Sequence, residues 1–536
     1  MGRSLAGGAL LVEDLDQQRL PARMLAAVLQ RENIPVCLLN YTGGQPIAEV
    51  VAAVQRQDPA LVVLSQLFAH LLTDHLKLIA ALRSAGCDAH ITMVGPLASA
   101  AHAELLAACP GLDSVLLGEA EGSILALASS LRKGSAWRLV PGLAFRQEGA
   151  TVTTAPSSPV ALDALPWPAY PSGLPEWAGT PFATAEASRG CWHACTFCLP
   201  CSVYRSRGVG YRLRSVPGLV AELEGRFRAG ARLVLFDDEQ FLPPAPLHAR
   251  RVADLRRQLQ HRGVRIGFTV KCRADDVEPR LFADLREAGL LRVYVGLESN
   301  CQATLEWMGK GTSPRTNANA LHVLDNLGIV ADYRCLFFHP WATLDSIRAE
   351  MRALSALVGV TTTCLSFREV EVYPGTPLAQ RLADEGRPVP APEPLAYQSA
   401  EPAAEVLRRL SRLVFGHCRP YQELCQRVTQ AWFALLLSER GLARSAATPR
   451  PQVRQAARSA NLMALALCDE MMDFAARGEW REPHAVNAMA TQWSAALALG
   501  SARLLAGLAD PGAPVGQTHP GRHDASPSGH REGSLP

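Results

Sequence analysis

Ser188-Arg-Gly-Cys-Trp-His-Ala-Cys-Thr-Phe-Cys198 is the stretch around which the rest of the chain is read. It sets Cys191, Cys195 and Cys198 in a C-x3-C-x2-C array. Three thiolates this close can converge on one soft-metal centre, and thiolate is the ligand that iron–sulfur clusters use. Three ligands to a four-iron cluster leave one iron open to a substrate or cofactor. A zinc site is the plain alternative. Zinc sites usually pair C-x2-C with a second distant pair or with histidines at set spacing. Here the only nearby histidine is His193, inside the loop.

At 536 residues the chain predicts several domains, since single cores rarely grow beyond about 250–300 residues. The apolar fraction of 48% is ample for sizeable cores, and a net charge of +3 implies no polyanion partner. Of 53 basic residues only Lys77, Lys133, Lys271 and Lys310 are lysine, a bias that fits a GC-rich coding sequence rather than phosphate binding. Fourteen cysteines in so long a chain do not suggest a disulfide scaffold. Arg3 and the short apolar run ending at Glu13 and Asp14 are too weak for a signal peptide. Ala60–Leu72 is interrupted by Gln66 and His70 and is too short to span a bilayer. A soluble cytoplasmic protein is expected, without a membrane or nucleic-acid partner.

Residues 1–135 alternate short apolar runs with helical patterns. Ala9–Val12, Pro35–Leu39, Leu61–Ser65, Ile91–Gly95 and Ser114–Leu117 read as parallel strands of a doubly wound, Rossmann-like α/β domain. Ligands in such sheets bind beyond the carboxyl ends of the strands. Ser65-Gln-Leu67, Gly95-Pro96 and Gly118-Glu-Ala-Glu121 are the loops at those ends. Residues 136–182 form a proline-rich connector. In residues 183–395, Leu233–Phe236, Ile266–Val270, Arg292–Gly296, Tyr333–Phe338 and Cys364–Val370 are strands separated by helical patterns, which predicts a partial (β/α)6 barrel with its chemistry at the strand ends. Those ends carry Asp237-Asp-Glu239, Lys271, Arg273 and Gly296-Leu-Glu-Ser299. Residues 396–510 read as an α-helical domain, and 511–536, rich in Pro, Gly, Ser and His, as a disordered tail.

The cysteine array, with Ser-Arg-Gly before it and Phe197 before its last cysteine, resembles that of radical S-adenosylmethionine (radical SAM) enzymes. Gly296-Leu-Glu-Ser299 is similar to the family's G-x-E-S signature, and Tyr373-Pro-Gly-Thr-Pro377 follows the last strand as in relatives. The N-terminal loops resemble those of the cobalamin-binding domain ahead of many radical SAM modules, where S-x-L and small residues make room for the nucleotide tail of the corrin. The pairing resembles the cobalamin-binding radical SAM enzymes, class B type methyltransferases, over roughly residues 5–395.

The resemblance implies a [4Fe–4S] cluster on Cys191, Cys195 and Cys198 with S-adenosylmethionine at the open iron. Phe197, Asp238, Arg273, Glu298 and Ser299 are its expected contacts. Asp238 or Glu298 suits the ammonium of the methionine moiety, and Arg273 suits its carboxylate as a bidentate fork. Ser65, Leu67, Gly95, Pro96, Gly118 and Glu119 are the expected cobalamin contacts. The implied activity is C-methylation of an unactivated carbon in a natural-product or peptide substrate, through a 5′-deoxyadenosyl radical and methylcobalamin. A flavodoxin or ferredoxin is the expected reductant. The chain departs from D-x-H-x-x-G at Asp14-Leu-Asp16-Gln-Gln-Arg19, so no histidine is expected below cobalt.

Two other readings stand beside methylation. The same modules support radical cyclisation, ring contraction or rearrangement without methyl transfer. A non-catalytic cobalamin or iron–sulfur sensor is a different class. A methylthiotransferase acting on RNA lacks support, because the chain shows neither a second three-cysteine array nor a basic RNA-binding appendage. Cys201 and Cys301, beside the two motifs, are candidates for a radical or acid/base partner.

Overall fold

Five short apolar runs make the first sheet: β1 (Ala9–Glu13), β2 (Val36–Asn40), β3 (Leu61–Ser65), β4 (His90–Val94) and β5 (Ser114–Leu116). In the computed structural model they lie in the order β2-β1-β3-β4-β5 and are parallel throughout. β1 and β4 are buried along their whole length, as befits apolar strands covered by helices on both faces. Helices α1 (Leu20–Arg31), α2 (Ile47–Gln57), α3 (Leu72–Ser84), α4 (Pro96–Ala100), α5 (His102–Ala108) and α6 (Glu121–Arg132) supply the cover. Leu25 and Leu29 of α1 join Ile124 and Leu127 of α6 in one core with Leu11 and Val63. A hairpin, β6 (Leu143–Gln147) and β7 (Ala150–Thr153), extends the sheet antiparallel beyond β5. Because β1 lies between β2 and β3, the strand order reverses there, and the loops beyond the carboxyl ends of β3, β4 and β5 form neighbouring rims.

The structure describes residues 8–13, 20–41, 45–67, 69–171, 173–177, 179–360, 363–391, 393–442, 448–482 and 484–508. The Asp14–Arg19 stretch and the tail at 511–536 lie outside them. Of the described residues, the first unit holds those up to Pro171 and Ser206–Gly208, and the second holds the rest.

The second unit holds β8 (Glu176–Trp177), β9 (Thr180–Ala185), β10 (Ser188–Arg189), β11 (Arg212–Leu213), β12 (Leu233–Phe236), β13 (Gly267–Arg273), β14 (Leu290–Glu298), β15 (Val330–Phe338) and β16 (Phe367–Glu369). Its main sheet runs β16-β15-β14-β13-β12-β9-β8. The six strands from β9 to β16 in that sheet are parallel, and β8 pairs antiparallel at one edge. Helices α7 (Leu199–Ser206), α8 (Val216–Arg228), α9 (Leu247–His261), α10 (Pro279–Ala288), α11 (Gln302–Trp307), α12 (Pro314–Asn326), α13 (Leu344–Leu357) and α14 (Pro377–Asp384) connect them. The partial six-stranded βα barrel expected from the sequence is therefore present. Its first strand, β9, begins inside the stretch read as connector.

Side chains alternate across each strand. Along β14, Leu291, Val293, Val295 and Leu297 are buried, whereas Arg292, Tyr294, Gly296 and Glu298 are less so. β15 alternates likewise, with Asp332, Arg334 and Leu336 on the less buried face. The apolar set packs under the helices, and the polar set lines the barrel interior. Helix starts follow local chemistry: Ser215 Oγ accepts from Gly218 N at the start of α8, and Thr343 with Ser346 makes a reciprocal cap on α13.

Four more helices follow: α15 (Pro402–Phe415), α16 (Arg419–Glu439), α17 (Arg450–Arg477) and α18 (Ala485–Gly507). They cover the β16 edge. Arg408 and Arg412 clamp Glu369. Tyr421 Oη donates to Leu365 O at 2.9 Å. Asn461, fully buried, accepts from Leu365 N at 2.7 Å and donates to Thr363 O at 3.0 Å. The strand expected over Cys364–Val370 is only Phe367–Glu369, because these side chains take backbone groups ahead of it. Asn461→Ala is expected to leave two buried backbone groups unpaired and to cost about 2–4 kcal/mol. Urea unfolding followed by circular dichroism checks this, and an unchanged midpoint would refute the role.

Candidate active site and cofactor loops

The cysteine loop runs from β10 to α7. Cys191, Cys195 and Cys198 are all partly exposed, and Cys201 is buried on the first turn of α7. Cys201 Sγ lies 3.4 Å from Cys198 Sγ. Hydrogen bonds from Cys201 hold the Cys191 and Cys198 thiols below their ordinary range, against the effect of burial. Cys201 itself is pushed up by the same bonds, and Cys195 is pushed up by burial. His193 is also held by burial, at a pKa of about 4, so it is neutral near pH 7. All fourteen cysteines are free.

Anchors grip the loop at both ends. Asp238, just past β12, accepts from Ala187 N at 3.1 Å and Ser188 Oγ at 2.5 Å. Burial raises its pKa to about 6. Glu239 accepts from Gly190 N at 3.0 Å. On the other side, Thr196 N donates to Met308 O at 2.9 Å and Thr196 Oγ1 to Trp307 O at 3.0 Å. At Gly309 (φ +64°), an added Cβ would meet Ala194 O at 3.2 Å, so the two segments touch backbone to backbone. Phe197 packs on Met308, Val370 and Val372.

The charged groups at the strand ends converge on this loop. Glu298, at the end of β14, has φ +65°, a left-handed conformation costly for a non-glycine residue. Its neighbours hold it there: Glu350 of α13 accepts from Ser299 Oγ at 2.9 Å and from Asn300 N at 2.6 Å. Glu298 Oε1 is 3.4 Å from the buried Lys310 Nζ. Arg273 ends β13, with Nη1 3.5 Å from Cys195 Sγ.

Arg273 and Asp238, two of the expected S-adenosylmethionine contacts, also have partners within the protein. The Arg273 fork, expected to take the methionine carboxylate, is engaged by Asp275 at 2.9 and 3.1 Å and by Lys310 O, because Asp275 is only two residues away and turns back onto it. Asp238, expected beside the ammonium, holds the start of the cysteine loop. Glu239, Lys310 and Glu350 were not singled out as site residues. Glu239 lay next to Asp238 in the same acidic run, while Lys310 and Glu350 carry no local signal.

In the first unit, Ser65 ends β3 with its buried Oγ lacking a hydrogen-bond partner. Gly95 (φ +116°) ends β4, and a Cβ there would stand 2.5 Å from Gln66 O and 3.4 Å from the Leu67 side chain. Pro96 starts α4. Gly118 (φ +74°) follows β5, and its N–H donates to Ser99 Oγ at 2.9 Å. Glu119 follows it directly. The six expected cobalamin contacts thus lie on three adjacent strand ends, with glycine where the loops after β3 and β4 touch. Gln66, within this rim, pairs with His75 Nδ1 at 2.7 Å.

A family model of the B12 binding domain matches residues 10–128, and one of the radical SAM superfamily matches residues 186–341. The protein is a radical SAM protein with a B12 binding domain. It is 26% identical over 294 residues to an uncharacterized methyltransferase of Pyrococcus horikoshii, covering 54% of this chain and 62% of that protein. It is 25% identical over 243 residues to the anaerobic magnesium-protoporphyrin IX monomethyl ester cyclase of Rubrivivax gelatinosus, covering 43% and 42%. The chain thus spans less than two thirds of either relative. Its fold is similar to that of the cobalamin-dependent S-adenosylmethionine radical enzyme OxsB, with a TM-score of 0.65 at 17% identity over 91% of this chain and 84% of that one.

The cofactors these domains bring are cobalamin, S-adenosylmethionine and a [4Fe–4S] cluster. The residues of the radical SAM protein fit them. Among the described residues, no three His, Cys, Asp or Glu side chains form a group that would hold a single ion. A four-iron cluster asks instead for one thiolate on each of three irons, and one loop presents three accessible cysteines. The orphaned Ser65 hydroxyl fits a polar cofactor at the B12 rim. Among the described residues, no helix is long and apolar enough to cross a membrane.

Proposed function

We propose that this radical SAM protein is a cobalamin-dependent C-methyltransferase acting on an unactivated carbon of a small-molecule or peptide substrate. One observation carries the reading: a single chain joins a glycine-floored rim on three parallel strand ends to an anchored three-cysteine loop at a polar barrel mouth. When bound, the cluster with S-adenosylmethionine supplies a carbon radical and cobalamin supplies a methyl group. The chain's own residues do the rest. Cys191, Cys195 and Cys198 hold the cluster. Glu298 and Ser299, fixed by Glu350, are positioned to orient S-adenosylmethionine, with Phe197 packed beneath the loop and Arg273 and Lys310 supplying positive charge beside Cys195. Ser65, Leu67, Gly95, Pro96, Gly118 and Glu119 hold cobalamin. A reducing cytoplasm with a flavodoxin or ferredoxin as electron donor suits such a cluster.

The cyclase relative favours a second reading, radical ring formation or rearrangement without methyl transfer. Products of S-adenosylmethionine turnover separate the two. Reduced, cofactor-loaded protein supplied with candidate substrates should form both 5′-deoxyadenosine and S-adenosylhomocysteine, with a product heavier by one CH2 unit. 5′-Deoxyadenosine without S-adenosylhomocysteine or mass gain would replace methylation with the second reading. Neither compound would mean a sensor.

A further inference from the structure

Among the described residues, the ion pairs of the barrel interior leave two arginines out. Lys271 Nζ pairs with Asp237 at 2.8 Å, Lys310 with Glu298 at 3.4 Å, and Arg292 with Asp332. Glu371 accepts from Tyr373 Oη at 2.7 Å, and Glu369 is clamped by Arg408 and Arg412. Arg334 on β15 and Arg368 on β16 are left over. Among the described residues no carboxylate forms an ion pair with either. Arg368 Nε reaches only Ser366 Oγ, at 3.4 Å, and the Arg334 guanidinium lies 5.7 Å from the Tyr294 ring centre.

Their height in the barrel is set by register. Cys335 pairs with Glu298 across β14 and β15, and Leu336 pairs with Arg368 across β15 and β16. Both arginines therefore stand level with the Glu298 strand end, on neighbouring strands. Both side chains reach solvent. The Arg368 pKa is lowered, first by burial and then by Arg334, so the two guanidiniums feel one another, and Glu371 offsets only part of this. Like charges held close together destabilise a fold unless an anion joins them. Planar guanidinium forks match phosphate and carboxylate oxygens.

We infer that Arg334 and Arg368, with Tyr294 beside Arg334, form a subsite in the barrel that binds a phosphate or carboxylate group of the substrate. This rests on the reading that the barrel mouth receives the substrate. It predicts an acidic substrate, and it places that acidic group beside β15 and β16.

The test uses full-length protein loaded with cluster and cobalamin, kept anaerobic at constant ionic strength. Inorganic phosphate and acetate are titrated separately by calorimetry, with and without saturating S-adenosylhomocysteine. The expected result is saturable binding of at least one anion that persists with S-adenosylhomocysteine present and weakens about tenfold or more in Arg334→Gln and in Arg368→Gln. Preference for phosphate or for acetate then names the group. No saturable binding, binding unchanged in both variants, or binding abolished by S-adenosylhomocysteine each overturns the proposal. The last would mean that the arginines serve the methionine carboxylate. Should the Gln variants fail to fold, Arg334→Lys and Arg368→Lys replace them: loss of the forks weakens binding several-fold, and unchanged affinity in both overturns the proposal. Wild-type protein that cleaves S-adenosylmethionine but binds neither anion contradicts the subsite alone. Anion binding without any cleavage contradicts the proposed function alone.

Discussion

Cys195→Ala is expected to lower iron from about four per chain to a minor fraction after anaerobic reconstitution, and to take formation of 5′-deoxyadenosine to background. The cluster has three protein thiolates in this reading, so each carries a whole iron. Cys195 is also the thiol nearest the positive charge of Arg273, 3.5 Å away. Alanine removes the ligand and leaves that charge facing an empty corner. Cys201 does not substitute readily, because it sits beside Cys198 on α7, at 3.4 Å. Iron analysis and the visible absorption of the cluster read the result directly. A Cys195→Ala protein with full iron and full turnover would show that the loop is not the cluster site.

Gly95→Ala is expected to empty the B12 rim and leave the cluster in place. The residue has φ +116°, which side chains rarely adopt, and its Cβ would stand 2.5 Å from Gln66 O. Gln66 cannot yield easily. Its N–H donates to Val94 O at 2.7 Å, and its side chain pairs with His75. The combined conformational and steric cost is about 2–4 kcal/mol, concentrated on the loops that the cofactor must meet. Cobalamin affinity should therefore fall about 30-fold or more, since each 1.4 kcal/mol is tenfold. Cobalt and iron measured on the same sample check it: cobalt should drop while iron stays. Unchanged cobalt would mean that the floor at Gly95 does not face cobalamin.

What the sequence made legible was local. The cysteine spacing is a property of eleven consecutive residues. Gly95 and Gly118 end apolar runs, where a turn toward a ligand is expected. The buried strands of the first unit announce themselves as continuous apolar runs, and the helices α15 to α18 as leucine and alanine at helical spacing. What stayed hidden was long-range. The grip of Trp307–Lys310 on the cysteine loop joins segments about a hundred residues apart. Glu350 reaches Ser299 from another helix. Asn461 reaches Leu365 from α17 and shortens a strand that looked longer in sequence. Arg273 pairs locally, with Asp275 two residues away. That Arg334 and Arg368 stay out of the interior ion pairs could not be read at all, because it depends on which cations the interior carboxylates meet.

The most direct test of the account is metal analysis of wild-type protein purified without oxygen, with iron, cobalt and the ultraviolet–visible spectrum taken from one sample. The account predicts about four iron per chain together with stoichiometric cobalt. Iron without cobalt, even after cobalamin is supplied, would contradict it and would leave a radical SAM protein whose N-terminal domain does not carry the methyl donor.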